Sequence, residues 1–259
     1  VTSSAEPADG DGDARTPWRM LRRYTDARVG LGRAGNGVPT AAHLDFQEAH
    51  ARARDAVHSE LDLDALTTAL TPLRQPLHRV RTQASDRRTY LLRPDLGRRL
   101  HDEDRARLTP APGGVAFVIA DGLCATGVQD HAPAVLARLI PALRATPLPP
   151  GPIVVAAQAR VALGDDIGEA LQAQAVVVLI GERPGLSATD SLGLYITWSP
   201  RRGRSDAERN CISNVRPAGL GYDAAAAKTL WLLGAARALG ATGVALKDEM
   251  PAEPLLSGP

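Results

Sequence analysis

Residues 176–185 run Val176-Val177-Val178-Leu179-Ile180 and then Gly181-Glu182-Arg183-Pro184-Gly185. An unbroken aliphatic run bounded by helix breakers reads as a short strand buried on both faces. An acid and a base then stand among glycines and a proline at the strand's end. Open α/β sheets bind their ligands at that edge. The stretch therefore predicts an α/β protein and marks Glu182 as a candidate ligand contact.

The same pattern recurs on both sides. Residues 115–120 form an apolar run closed by Asp121-Gly122. Residues 153–157 form another, and residues 192–198 a fourth with clearer alternation. Helical spacing fills 126–145, 163–173 and 222–239, the last with Asp223 near its start and Gly240 at its stop. Strands separated by helical crossovers predict a Rossmann-like parallel sheet flanked by helices. Three segments follow. Residues 1–16, rich in Ser, Ala, Pro, Gly and Asp, read as a flexible tail. Residues 17–110 read as an N-terminal helical arm, with helices from Thr40 to about Leu61 and over 63–73, then a strand or turn plus a helix within 87–107. Residues 111–259 read as the α/β domain.

Composition narrows the function. A net charge of +1 gives no global attraction to nucleic acid or to a membrane surface. Aromatics make up 3% of the chain, so the core must be aliphatic. Lys228 and Lys247 are the only lysines, which leaves arginine to carry nearly all positive charge. Cys124 and Cys211 make no disulfide framework and point to a reducing, cytoplasmic setting. No window approaches the ~20 apolar residues of a membrane span. No basic segment followed by an apolar stretch opens the chain, so no secretory signal is expected.

Several motifs carry less than they first suggest. Gly30-Leu31-Gly32-Arg33-Ala34-Gly35 is a literal G-x-G-x-x-G, the fingerprint of a stand-alone dinucleotide-binding oxidoreductase. That site requires a buried strand before it and a helix immediately after. The residues before it are polar and basic, and Asn36-Gly37-Val38-Pro39 blocks an immediate helix. The six histidines are scattered; His43 and His50 could share a helix face but lack a third ligand, so no metal site is expected. No Gly-x-Ser-x-Gly and no triad spacing occurs, and no catalytic residue is assigned to this chain. The arginine pairs lack the interleaved aromatics of single-strand binders and any recognition-helix pattern.

If all four strands were parallel, their carboxyl ends would share one edge. The loops beyond three of them would then bring Val161, Glu182 and Cys211 toward one another. Cys211 falls in the segment 199–221, too long for a plain connector.

Six collinear strings resemble the small (light) subunit of ethanolamine ammonia-lyase. They are Ala34-Gly35 with Pro39-Thr40, Leu91 with Arg93-Pro94-Asp95-Leu96-Gly97-Arg98, Asp121-Gly122-Leu123, Arg160-Val161-Ala162-Leu163-Gly164-Asp165 with Ile167-Gly168, Gly181 to Leu186, and Asn210-Cys211-Ile212-Ser213-Asn214. The resemblance implies an adenosylcobalamin enzyme that converts ethanolamine to acetaldehyde and ammonia, with radical chemistry and substrate pocket on a large barrel subunit. It implies that cobalamin lies between the two subunits, with Val161, Glu182 and Cys211 as this chain's cofactor contacts. It also leaves a bacterial microcompartment open as the location. No Asp-x-His-x-x-Gly occurs, so the cofactor is expected base-on. The non-enzymatic alternative is an assembly subunit without cofactor contact.

Overall fold

A computed structural model describes residues 20–251; the expected tail over 1–16 lies outside them. The chain forms two compact units. One comprises residues up to Asp55 together with Gly185–Ala188, and the other comprises Ala56–Pro184 and the chain from Thr189 onward.

In the first unit, Gly30, Gly32 and Gly35 all adopt positive φ. Ala34 and Gly37 exchange backbone hydrogen bonds at 3.0 and 3.1 Å, closing a two-residue hairpin turn over Gly35 and Asn36. Arg22 braces the glycine segment by donating to the carbonyls of Val29 (2.7 Å) and Gly30 (3.0 Å). Among the described residues no strand precedes Gly30, and helix α1 (Thr40–His58) starts only after the hairpin. The G-x-G-x-x-G is therefore a string of turns and lacks the strand–helix frame of a dinucleotide site. Segment 185–188 is closed by Gly185 N–H to Ala188 O at 2.7 Å, and Ser187 Oγ donates to Asp26 O at 3.1 Å.

The second unit is a six-stranded sheet. In chain order its elements are α2 (Leu63–Leu70), β1 (Leu77–Arg81), α3 (Arg87–Leu92), α4 (Asp102–Arg107), β2 (Val115–Ala120), α5 (Ala125–Leu143), β3 (Pro150–Ala157), α6 (Leu163–Ala170), β4 (Ala175–Gly181), β5 (Leu192–Trp198), β6 (Asn210–Val215) and α7 (Tyr222–Leu239). The sheet order is β1-β3-β2-β4-β5-β6. The first four neighbours in that order run parallel, as expected of a Rossmann-like α/β protein.

Three features differ from the sequence reading. First, β5 is antiparallel to β4, and β6 is antiparallel to β5. A parallel return needs a crossover of a dozen or more residues, and the connection from Gly181 to Leu192, interrupted by Pro184 and Gly185, cannot hold one. Second, the segment 199–221 is not one long loop, because β6 occupies its middle. Third, a strand, β1, lies within the span 17–110 and pairs with β3. It is a charged edge strand, Leu-His-Arg-Val-Arg, with only Val80 buried.

Alternation along the central strands splits the core. Phe117, Ile119, Val177 and Leu179 face α5 and α7, with Leu66 and Leu70 of α2 against the same side. Ala116, Val118, Val176 and Val178 face α6, which contributes Leu163 and Ile167. Each fully buried aliphatic or aromatic side chain is worth about 1.5–3 kcal/mol against exposure. Gly164 lets α6 lie close to β4, since a Cβ there would come within 2.4 Å of Val178 Cγ2. Because α6 is only eight residues long, it does not roof the far end of its face. There Tyr195 is half-buried and Cys211 and Ser213 are exposed.

Charged pairs tie the segment after β5 to α6. Arg209 grips Asp165 bidentately at 2.6 and 2.8 Å, both side chains almost fully buried. Burial pushes the Asp165 carboxyl up while the Arg209 hydrogen bonds pull it down. Arg202 and Arg105 share Asp166 next to it.

Candidate functional site

At the carboxyl ends of β2, β3 and β4 the second unit has a concavity of about 410 Å³. Leu123, Val161 and Ile180 give it apolar wall. Glycines 122 and 181 form its floor, and Tyr90, Arg160, Glu182, Arg183 and Tyr195 bring polar groups to it.

Its frame is built around Asp121, at the end of β2. The buried carboxylate accepts the backbone N–H groups of Gln158 (2.9 Å) and Ala159 (3.0 Å) beyond β3, and the Arg87 guanidinium at 3.2 Å. Burial drives this carboxyl's pKa upward against those bonds. Asp121 thus clamps two crossover loops together. Gly122 has φ +56°, and a Cβ on it would meet Gly181 O at 2.3 Å. Only glycine permits this approach of two strand ends. Cys124 is buried and structural, capping α5 by accepting Gly127 N–H at 3.3 Å and donating to Thr189 O at 3.0 Å.

Tyr90 forms the back of the concavity. It is fully buried and donates to Ala159 O at 3.1 Å. Burial raises its phenol pKa. The ring lies against two guanidinium groups, Arg87 at 4.8 Å and Arg160 at 4.2 Å from its centroid.

Glu182 and Val161 line the same concavity. Glu182 is partly exposed; its Oε2 accepts the backbone N–H of Asn214 at 3.1 Å, and its own N–H donates to Ser191 O at 3.0 Å. Cys211 does not lie on a loop at the strands' carboxyl edge. It stands inside β6, opposite Tyr195, which in turn pairs with Val178 in the middle of β4. Tyr195 therefore bridges the concavity to an exposed thiol one strand further out. Burial raises the Tyr195 phenol, and the neighbouring Cys211 and Glu182 push the same way.

Sequence reasoning did not single out Tyr90, Arg160 or Tyr195. The available signals were the adjacency of Arg160 to Val161 and the scarcity of aromatic residues, 3% of the chain, which singles out each tyrosine. Among the described residues, no cluster of three or more His, Cys, Asp or Glu side chains is placed to hold a metal ion. No described helix is long and apolar enough to cross a membrane.

The fold and the concavity define an α/β protein with a candidate ligand site at its strand ends. Residues 15–247 match the family model of the ethanolamine ammonia-lyase light chain, EutC. The chain is 55% identical over 234 residues to the ethanolamine ammonia-lyase small subunit of Rhodopseudomonas palustris (strain BisA53), covering 89% of this chain and 90% of that one. It is 54% identical to the Bradyrhizobium diazoefficiens small subunit (91% and 92% covered) and 53% identical to that of Azotobacter vinelandii (90% and 88% covered). The chain belongs to the ethanolamine ammonia-lyase small-subunit family.

Proposed function

We propose that this chain works with a large barrel subunit as an adenosylcobalamin-dependent ethanolamine ammonia-lyase, and that the concavity is its share of the cofactor site. Adenosylcobalamin, when bound, supplies the radical chemistry that turns ethanolamine into acetaldehyde and ammonia. The observation that carries the reading is the meeting of Val161 and Glu182 in one concavity, with Tyr195 leading on to Cys211.

The residues present fit the group. Cobalamin offers peripheral carboxamides, a phosphodiester, a ribose and an apolar benzimidazole. The concavity offers a carboxylate acceptor in Glu182, apolar wall in Val161 and Leu123, and a buried Arg160 Nε that no protein group satisfies. At about 410 Å³ it is too small to enclose a corrin ring with its nucleotide, which agrees with a site completed by a second subunit. We take the cofactor to keep its benzimidazole on cobalt, no histidine being among the described residues that line the concavity. Glu182 would accept carboxamide or hydroxyl donors, Val161 would give apolar contact, and Cys211 would pack against a flat face.

Co-expression with the large subunit and measurement of adenosylcobalamin affinity tests this. Weaker binding on Glu182→Gln supports the shared site. Unchanged binding in an intact complex favours a subunit that serves assembly alone.

A further inference from the structure

The two guanidinium groups against Tyr90 are in opposite states. Arg87 spends its donors inside the protein, on the Val57 carbonyl, on Asp121 and on Gly122 O. Among the described residues Arg160 spends none: its side chain makes no hydrogen bond there, and no carboxylate lies within ion-pair distance. Its Nε is buried without a partner. An unsatisfied buried donor costs about 1–3 kcal/mol, more when charged. Water can reach the outer nitrogens of this half-buried guanidinium, but its Nε faces the cavity wall with a donor that an oxygen on a ligand could accept.

The guanidinium is also held in place. Its Cζ lies 4.2 Å from the centroid of the Tyr90 ring, and that ring is fixed by the hydroxyl's bond to Ala159 O and by close packing with Gly97, where a Cβ would come within 2.9 Å of the ring. The Arg160 backbone N–H is tied to Gly97 O at 2.8 Å. A planar donor fork fixed in advance loses little entropy on meeting a planar or anionic oxygen acceptor.

We infer that Arg160 is a cofactor-binding residue, donating to an oxygen on the periphery of the corrinoid, and that Tyr90 is the positioning residue that holds it there. This rests on the reading of the concavity as a cobalamin site. Two groups present the required oxygen, the carboxamide carbonyls of the corrin ring and the phosphodiester of the nucleotide loop.

The test measures equilibrium binding of adenosylcobalamin and of adenosylcobinamide, which keeps the ring carboxamides and lacks the nucleotide, to the assembled two-subunit complex. Cofactor absorbance provides the readout, independent of turnover. Arg160→Gln should weaken adenosylcobalamin roughly tenfold to a hundredfold, the range for losing a hydrogen bond to a charged group. Arg160→Lys should recover only part of it, since lysine lacks the fork. An equal loss for both ligands assigns the acceptor to a ring carboxamide, and a loss confined to adenosylcobalamin assigns it to the nucleotide. Tyr90→Leu should weaken binding in the wild-type background and add little to Arg160→Gln. Unchanged affinity for Arg160→Gln while Glu182→Gln weakens binding would overturn the role of Arg160 and leave the site standing. Unchanged affinity for both would overturn the site itself.

Discussion

Glu182 accepts the backbone N–H of Asn214 at 3.1 Å, so the acid beyond β4 also fastens the end of β6. Its two oxygens therefore have different duties. One holds protein; the other has no hydrogen-bond partner among the described residues and, on the proposed reading, would be the one that meets a ligand.

That division separates two variants. Glu182→Gln keeps an acceptor for Asn214 and loses the charge; cofactor binding to the complex should weaken by about 1–3 kcal/mol with the melting temperature unchanged. Glu182→Ala removes both functions. It should also speed hydrogen exchange at the Asn214 amide, and equal exchange in the two variants would refute the division.

Cys211 and Cys124 should behave oppositely toward alkylating agents. The first is exposed and the second buried. In the isolated chain, Cys211 should label and Cys124 should not, and cofactor bound in the complex should protect Cys211. As a packing residue, Cys211→Ala should cost only ~1 kcal/mol of cofactor binding, while Cys211→Trp should block it. Lost turnover with normal binding in the alanine variant would instead mark a nucleophile.

Asp165→Asn should destabilise the chain strongly, by roughly 3–5 kcal/mol in urea unfolding, because Arg209 would remain buried without its counter-charge. Asp206, the other acid near Arg209, is too exposed to compensate. A change below about 1 kcal/mol would show that water reaches Arg209.

The β1 edge should be acid-sensitive. Arg81 donates to Asp104 through its backbone N–H at 2.7 Å and its guanidinium at 2.9 Å. The guanidinium bonds, above all, hold the Asp104 carboxyl down at about 2. A depressed carboxylate contributes fully above its ordinary value near 4 and loses that contribution as pH falls through the folded value. The stability gap between the wild type and Asp104→Asn should therefore be constant at neutral pH and shrink from about pH 4 toward about pH 2. A gap that does not change with pH would mean that the pair adds packing alone.

The isolated chain should not turn over ethanolamine with adenosylcobalamin, and activity should appear on adding the large subunit. Turnover by this chain alone would overturn the proposed division of labour.

The buried centre of this fold was readable from sequence. The strand Val115–Ala120 falls at the limits its apolar run defines, because a strand covered on both faces leaves little choice of residue type, and Leu192–Trp198 falls where its alternation places it. The edges were not readable. β1 and β6 carry Arg, His, Asn and Ser, since one face or one side of each meets water, and their pattern resembles loop. The direction of β5 was written in loop length rather than in the strand. The segment between Gly181 and Leu192 is too short for a crossover, and this shortness overrides the expectation that every strand is parallel. The meeting of Val161 and Glu182 follows from the parallel strands alone. Cys211 does not line the concavity and is linked to it only through Tyr195, its partner in the antiparallel pair. The free state of Arg160 depends on which acids are absent around it in space, and no spacing along the chain encodes that.

The backbone at Asn214, whose N–H meets Glu182, also shapes the edge of the sheet. Asn214 has φ +57°, a left-handed conformation, and it is followed by Arg216 and Pro217 just past the end of an edge strand. A flat edge would offer its unpaired backbone to any passing chain as a template, the usual start of aggregation; a kink, a charge and a proline deny it that. The residue that serves Glu182 thereby also stops the sheet from growing. Asn214→Val, which favours continued strand, should make the chain precipitate on concentration before it loses any affinity for cofactor, whereas Asn214→Gly should stay soluble.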